Sequence, residues 1–177
     1  MDSLERDIYF LREAYRVADR FSRDTYVQNG AILVRDNEII STGANRFPDG
    51  VKETEERWKY PLKLFYVSHA EENSIISAAK RGVVTDGAVM YCPWFACDRC
   101  AGMIINSGIR EVVGHSAPDI WHEPHRKYEN GKPKKSTWDE SIEHGLIKLQ
   151  EAGVKLRWLH EEIGDISIIF MGKRVTP

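Results

Sequence analysis

The sequence predicts a single α/β domain whose sheet is covered by helices. Two helix-then-strand units in succession, at residues 70–91 and 97–113, argue for such a sheet. A β-hairpin pattern at residues 30–42 precedes them, and an amphipathic helix precedes that. At 177 residues with 42% hydrophobic content, the chain is long enough for one buried core.

From Leu4 to Phe21, apolar residues at 4, 8, 11, 15, 18 and 21 recur at spacings of three and four, which predicts a helix with one packed face. Residues 30–34 and 38–42 then flank Arg35-Asp36-Asn37, a short polar turn between two apolar strands. Residues 43–61 carry two Pro, two Gly and many charges with no sustained apolar period, and are expected to be a long loop. Helices are predicted at about 70–80 and 97–106, and strands at 88–91 and 111–113. Ile142, Leu146 and Leu149 mark a last helix, ended by Gly153 before a strand at 154–159. A polar insertion spans about 116–137, and a tail over about 161–177 adds a strand or an arm. The domain is expected to span residues 1–177.

Charge is nearly balanced, 25 Lys and Arg against 27 Asp and Glu, so no global field favours nucleic acid. The N-terminus lacks a secretion signal and no apolar run is long enough to span a bilayer, so a soluble, cytoplasmic protein without membrane partners is expected. Three cysteines at 92, 97 and 100 are too few and too clustered for a disulfide framework. Metal binding or catalysis is the better use for them.

The chemistry concentrates in two short segments. His69-Ala70-Glu71 opens one helix, and Cys97-Asp98-Arg99-Cys100 opens another. Cysteines at i and i+3 lie on one face of a helical turn, and a helix N-terminus favours the thiolate. One His and two Cys match the three-ligand pattern of catalytic zinc, which leaves the fourth position to water. Zinc lowers the pKa of such a water to about 7, and Glu71 is then placed to carry the proton. A CxxC alone reads rather as a structural zinc knuckle or as buried thiols; the upstream His-x-Glu reverses that reading in favour of catalysis. Glu72 points about 100° away from Glu71 on the helix. Cys92, after an apolar strand, reads as a core residue. A second metal site at His122 and His125 is the weaker alternative to a plain polar stretch.

These segments, with Gly30-Ala31-Ile32, Gly43-Ala44-Asn45, Phe47-Pro48-Asp49-Gly50, Lys59-Tyr60-Pro61, Glu72-Asn73 and Ser107-Gly108-Ile109, resemble the deoxycytidylate (dCMP) deaminase family of the cytidine deaminase superfamily. The resemblance implies a three-layer α-β-α fold around a five-stranded mixed sheet, with Zn2+ between two helix N-termini. It further implies hydrolysis of dCMP to dUMP and ammonia, with Glu71 as the catalytic carboxylate and His69, Cys97 and Cys100 as metal ligands. Asn45 is then the sugar contact, and the Ala70 backbone holds the pyrimidine carbonyl. Trp94 and Trp121 are the candidates for the aromatic residue that the family closes on the base, with core packing the other reading of either.

The chain departs from the family in two places, with Ala96 where Pro usually precedes the first cysteine and Asn45-Arg46 where Asn-Gly is usual. Arg46 and Arg23, with Lys52 nearby, are the candidate phosphate ligands, because a guanidinium binds phosphate bidentately. Regulated members bind deoxynucleoside triphosphates in this loop, so such effectors are a further expectation, as is a homo-oligomer. Three other readings stay open: a tRNA adenosine deaminase, a deaminase of free cytidine, cytosine or guanine, and an inactive zinc module that only binds nucleotides.

Overall fold

In a computed structural model of the chain, the described residues are 2–94, 96–115, 128–129, 132–133 and 137–177. Helix α1 (Ser3–Phe21) starts at Asp2, whose carboxylate accepts the Leu4 and Glu5 N–H groups while the Glu5 side chain reaches back to the Asp2 N–H. This capping box satisfies donors that a helix start otherwise leaves unpaired. Strands β1 (Gly30–Arg35) and β2 (Glu38–Ala44) form the expected hairpin. Its turn is tighter than the three residues predicted: Asp36 and Asn37 alone make it, both at positive φ, a conformation these two residue types tolerate.

The segment 43–61 is not wholly loop, since β2 runs on to Ala44, and the short helix α2 (Lys63–Tyr66), which the apolar pattern did not predict, follows it. Then come α3 (Ala70–Lys80), β3 (Val89–Tyr91), α4 (Asp98–Asn106) and β4 (Glu111–His115). Strands β5 (Tyr128–Glu129) and β6 (Lys132–Pro133) pair with each other. Helix α5 (Thr137–Glu151) and strand β7 (Lys155–Leu159) follow, and the tail folds back as a hairpin of β8 (Ile168–Phe170) and β9 (Lys173–Val175). The remainder of the 116–137 segment, with Trp121, His122 and His125, lies outside the described residues.

Five strands form one mixed sheet in the order β2-β1-β3-β4-β7, with β1 antiparallel to β2 and β3, and β3, β4 and β7 parallel. The alternation of side chains along β1 divides the core. Ala31 and Leu33 face α3, α4 and α5 with Ile75, Met90, Ile104 and Leu149, whereas Ile32 and Val34 face α1 with Phe10, Leu11 and Val113. This is the three-layer arrangement that the family resemblance implied. Cys92 is fully buried in the first of these clusters, as a small core residue. On the other face, Arg157 of β7 pairs with Asp7 of α1 and Glu111 of β4, and Tyr91 donates to Asp7 at 2.7 Å. These partners satisfy the buried Asp7 carboxylate and tie α1 to three strands. Among the described residues no helix is long and apolar enough to cross a membrane.

Candidate active site

Parallel strands β3 and β4 and their crossover helices bring helix N-termini to one end of the sheet. His69 is the N-cap of α3 and Cys97 the N-cap of α4, both in extended backbone conformation. Three features hold α3 there. Gly43 of β2 has no Cβ, and one at that position would stand 2.2 Å from Ser74 N and 2.4 Å from Ala70 O, so only glycine permits this approach. Asn73 Nδ2 donates to Ala44 O at 2.8 Å and to Ser68 O at 3.1 Å. Arg46 and Ser68 exchange backbone hydrogen bonds at 3.2 and 2.9 Å, which fixes the residue before His69.

Helix α4 is held from α5. A Cβ at Gly145 would lie 2.5 Å from Ala96 O, so α5 crosses tightly over the approach to Cys97. Ser141 hydrogen-bonds the Asp98 carboxylate, and Lys148 donates to Asp98 O at 3.1 Å. Sequence reasoning missed Ser141, Gly145 and Lys148; a glycine inside an apolar helical period was the one available signal.

The N-caps and α4's first turn converge. His69 Nδ1 stands 3.5 Å from Cys97 Sγ and 3.5 Å from Cys100 Sγ, and the three potential ligand atoms all lie within 4.8 Å of one another. Tetrahedral zinc with bonds of about 2.0–2.3 Å sets ligand-to-ligand separations at roughly 3.3–3.8 Å. The donor set, one nitrogen and two sulfurs, therefore fits zinc in type and spacing. A hydrogen bond from the Cys100 thiol draws Cys97 down to about 4, while Cys100 is pushed up by holding the proton the pair shares.

Glu71, on the first turn of α3, is 3% exposed and its Oε2 has no hydrogen-bond partner among the described residues. Burial pushes its carboxyl up to about 7, against the opposing pull of His69. An orphaned buried carboxylate oxygen is costly unless a ligand completes it. Glu72 instead lines a cavity of about 170 Å³ beside His69, Cys97, Cys100 and Trp138. Trp138, which sequence reasoning also missed, sets its ring edge-on to His69 at 5.6 Å.

Asn45 and Ala70 meet directly: Asn45 Oδ1 accepts the Ala70 N–H at 2.9 Å, and Asn45 Nδ2 donates to Val27 O at 3.2 Å. Arg23 and Arg46 line a common cavity of about 210 Å³ with residues 47–51 and Glu53. Each is paired there with an acid, Arg23 with Glu53 at 3.3 Å and Arg46 with Asp49 at 3.2 Å. Lys52 does not line that cavity, and its carbonyl accepts from Arg57 at 2.6 Å. Trp94 stacks on Phe170 of β8 with ring centroids 4.4 Å apart and packs toward the α1 side of the sheet.

The profile of the family described as the cytidine and deoxycytidylate deaminase zinc-binding region matches residues 4–116. The chain belongs to this family. An uncharacterised deaminase from the luxG 3′ region of Aliivibrio fischeri is 32% identical over 143 residues, 81% of this chain and 86% of that one. Human deoxycytidylate deaminase is 36% identical over 129 residues, 69% of this chain and 70% of its own. Among solved structures, cyanophage S-TIM5 dCMP deaminase in its apo form superposes with a TM-score of 0.64 at 22% identity, over 90% of this chain and 100% of the phage chain. That likeness is one of fold. Membership of a zinc-binding deaminase family agrees with the donor set at His69, Cys97 and Cys100.

Proposed function

We propose that this protein is a zinc-dependent hydrolase that converts dCMP and water to dUMP and ammonia. The observation that carries this reading is Glu71 Oε2, a buried carboxylate oxygen with no hydrogen-bond partner among the described residues, two positions after His69, whose donor set Cys97 and Cys100 complete from α4. A structural zinc site needs no such acid, which counts against an inactive module. Sequence similarity to deoxycytidylate deaminases supplies the substrate class.

His69, Cys97 and Cys100 would hold the ion, which when bound supplies the Lewis acidity that makes water a nucleophile near neutral pH. Glu71 Oε2 accepts the proton lost by the attacking water and passes it to N3 of the pyrimidine. The same carboxylate then takes the remaining proton from the hydroxyl now on C4 and delivers it to the departing amino group, so that the C4–N bond breaks and ammonia leaves as the carbonyl forms. Burial suits the carboxyl to that exchange, since a pKa near the working pH lets it both take and give a proton. Asn45 is read as the sugar contact and the Ala70 backbone as the contact to the pyrimidine carbonyl. The Ala70 N–H is donated to Asn45 Oδ1 at 2.9 Å, so it serves the pyrimidine carbonyl by exchanging or sharing that acceptor. Arg23 and Arg46 are read as phosphate ligands that exchange their carboxylate partners for the 5′-phosphate. Trp94 and Trp121 remain the aromatic candidates for the base.

We read residues 1–177 as one deaminase domain acting in the cytoplasm as a homo-oligomer, with deoxynucleoside triphosphates as effectors. The test is ammonia release by zinc-loaded protein from dCMP, deoxycytidine, dCTP and a tRNA anticodon stem in parallel. Selective turnover of dCMP is expected. Preference for deoxycytidine or for the RNA would overturn the nucleotide assignment.

A further inference from the structure

The family match ends at residue 116, yet the C-terminal hairpin is sewn to the site end of the sheet. Gln28 N–H donates to Ile169 O at 2.8 Å, Ile169 N–H to Gln28 Oε1 at 2.7 Å, and Gly172 N–H to Tyr26 O at 2.9 Å, while Val27 bridges Phe170. The hairpin is itself anchored. Ile168 is 1% exposed in the α1-side core, and Pro177 O accepts the N–H groups of Ile163 and Gly164.

The segment 26–29 that this hairpin grips is where three strand ends of the site meet. Asn45 Nδ2 donates to Val27 O at 3.2 Å from the end of β2. Trp94 Nε1 donates to Gln28 O at 3.4 Å from the connection between β3 and α4. Asn29 O accepts the Asn45 N–H at 3.0 Å, and Asn29 Nδ2 donates to Cys92 Sγ at 3.4 Å. Phe170 covers one face of Trp94 in a near-parallel stack, 18° between planes, and thus touches this junction twice, through Val27 and through the indole.

We propose that Phe170 is a positioning residue for substrate binding, acting through Trp94 and the 26–29 segment on Asn45. The proposal rests on the deaminase reading above. Phe170 sets where Asn45 and Trp94 stand through its contacts with Val27 and the indole, so its loss weakens binding and leaves the chemical step nearly intact. An aromatic stack of this kind carries enough energy to shift binding about three- to tenfold.

The test uses Phe170→Leu and Phe170→Tyr in the full zinc-loaded chain. Phe170→Leu is expected to raise the KM for dCMP about three- to tenfold with kcat nearly unchanged and zinc content intact, and Phe170→Tyr to restore the original KM. Amide hydrogen exchange of residues 26–29 should quicken in Phe170→Leu alone. The double variant with Trp94→Leu should bind no worse than the poorer single variant, because both act through one contact. A Phe170→Leu protein that loses thermal stability with KM unchanged would make the hairpin a mere core closure and overturn the proposal. If the unaltered chain turns over no dCMP, the deaminase reading falls by itself. Exchange protection then decides whether Phe170 positions the 26–29 segment, and unchanged protection of those residues sinks the proposal.

Discussion

Asn45 Oδ1 and Ala70 N–H lie 2.9 Å apart, a buried hydrogen bond that joins the end of β2 to the first turn of α3. The residue after Ala70 is Glu71, so this bond places the carboxylate as well as the two groups assigned to the substrate.

Asn45→Ala strips that bond and leaves the Ala70 donor buried and unsatisfied, at a cost of about 1–3 kcal/mol. The expected outcome is a fall in Tm of several degrees, together with a rise in KM for dCMP; calorimetry and steady-state kinetics check it. An unchanged KM would remove Asn45 from the substrate contacts.

Glu71→Gln keeps the shape of the buried side chain but cannot carry a proton. Turnover should drop by about 10²–10⁴, with one zinc per chain retained. Cys97→Ala, by contrast, should lose both zinc and turnover. Zinc analysis and ammonia release, run on the same preparations, separate the two roles, and near-normal activity in Glu71→Gln would refute the proton-carrying assignment.

Gly43→Ala tests the packing that sets α3. The added Cβ would stand 2.2 Å from Ser74 N, a backbone atom, so the helix must shift at a cost of about 1–3 kcal/mol. Lower Tm and weaker zinc retention against a chelator are expected, because His69 moves with the helix.

Acid should weaken the fold through Asp7. Burial works to raise its carboxyl, but hydrogen bonds from Arg157 and Tyr91 outweigh burial and hold it below the ordinary 3.8. With the folded value depressed, the folded state binds fewer protons than the unfolded state between the two values. The contribution is therefore complete above about pH 4 and is lost as pH falls through the folded pKa. Urea midpoints between pH 2 and 6 should decline for the natural chain, and Asp7→Asn should be less stable at pH 6 with a shallower decline. Parallel curves for the two proteins would show that Asp7 plays no part.

The layered fold was largely legible because its signals are local. The three-and-four spacing of α1, the alternation in β1 and β2, and the helix-then-strand units all appear within windows of ten to twenty residues. Helix α2 escaped because it is four residues long and has no buried side chain, so no apolar period marks it. The turn residue Arg35 was misjudged because apolar pattern cannot distinguish a strand end from a turn; two consecutive left-handed residues, Asp36 and Asn37, did that.

The sequence by itself determined the chemistry: Cys97 and Cys100 lie one helical turn apart, and His69 precedes Glu71 by two residues, so ligand type and spacing can be read locally. Only the tertiary structure decided how those groups are held. Asn45 reaches Ala70 across 25 residues and Ser141 reaches Asp98 across 43, while Phe170 closes on Trp94 from the far end of the chain. Such contacts are set by how helices seat on a twisted sheet, a packing outcome of many weak interactions that no short window of sequence records.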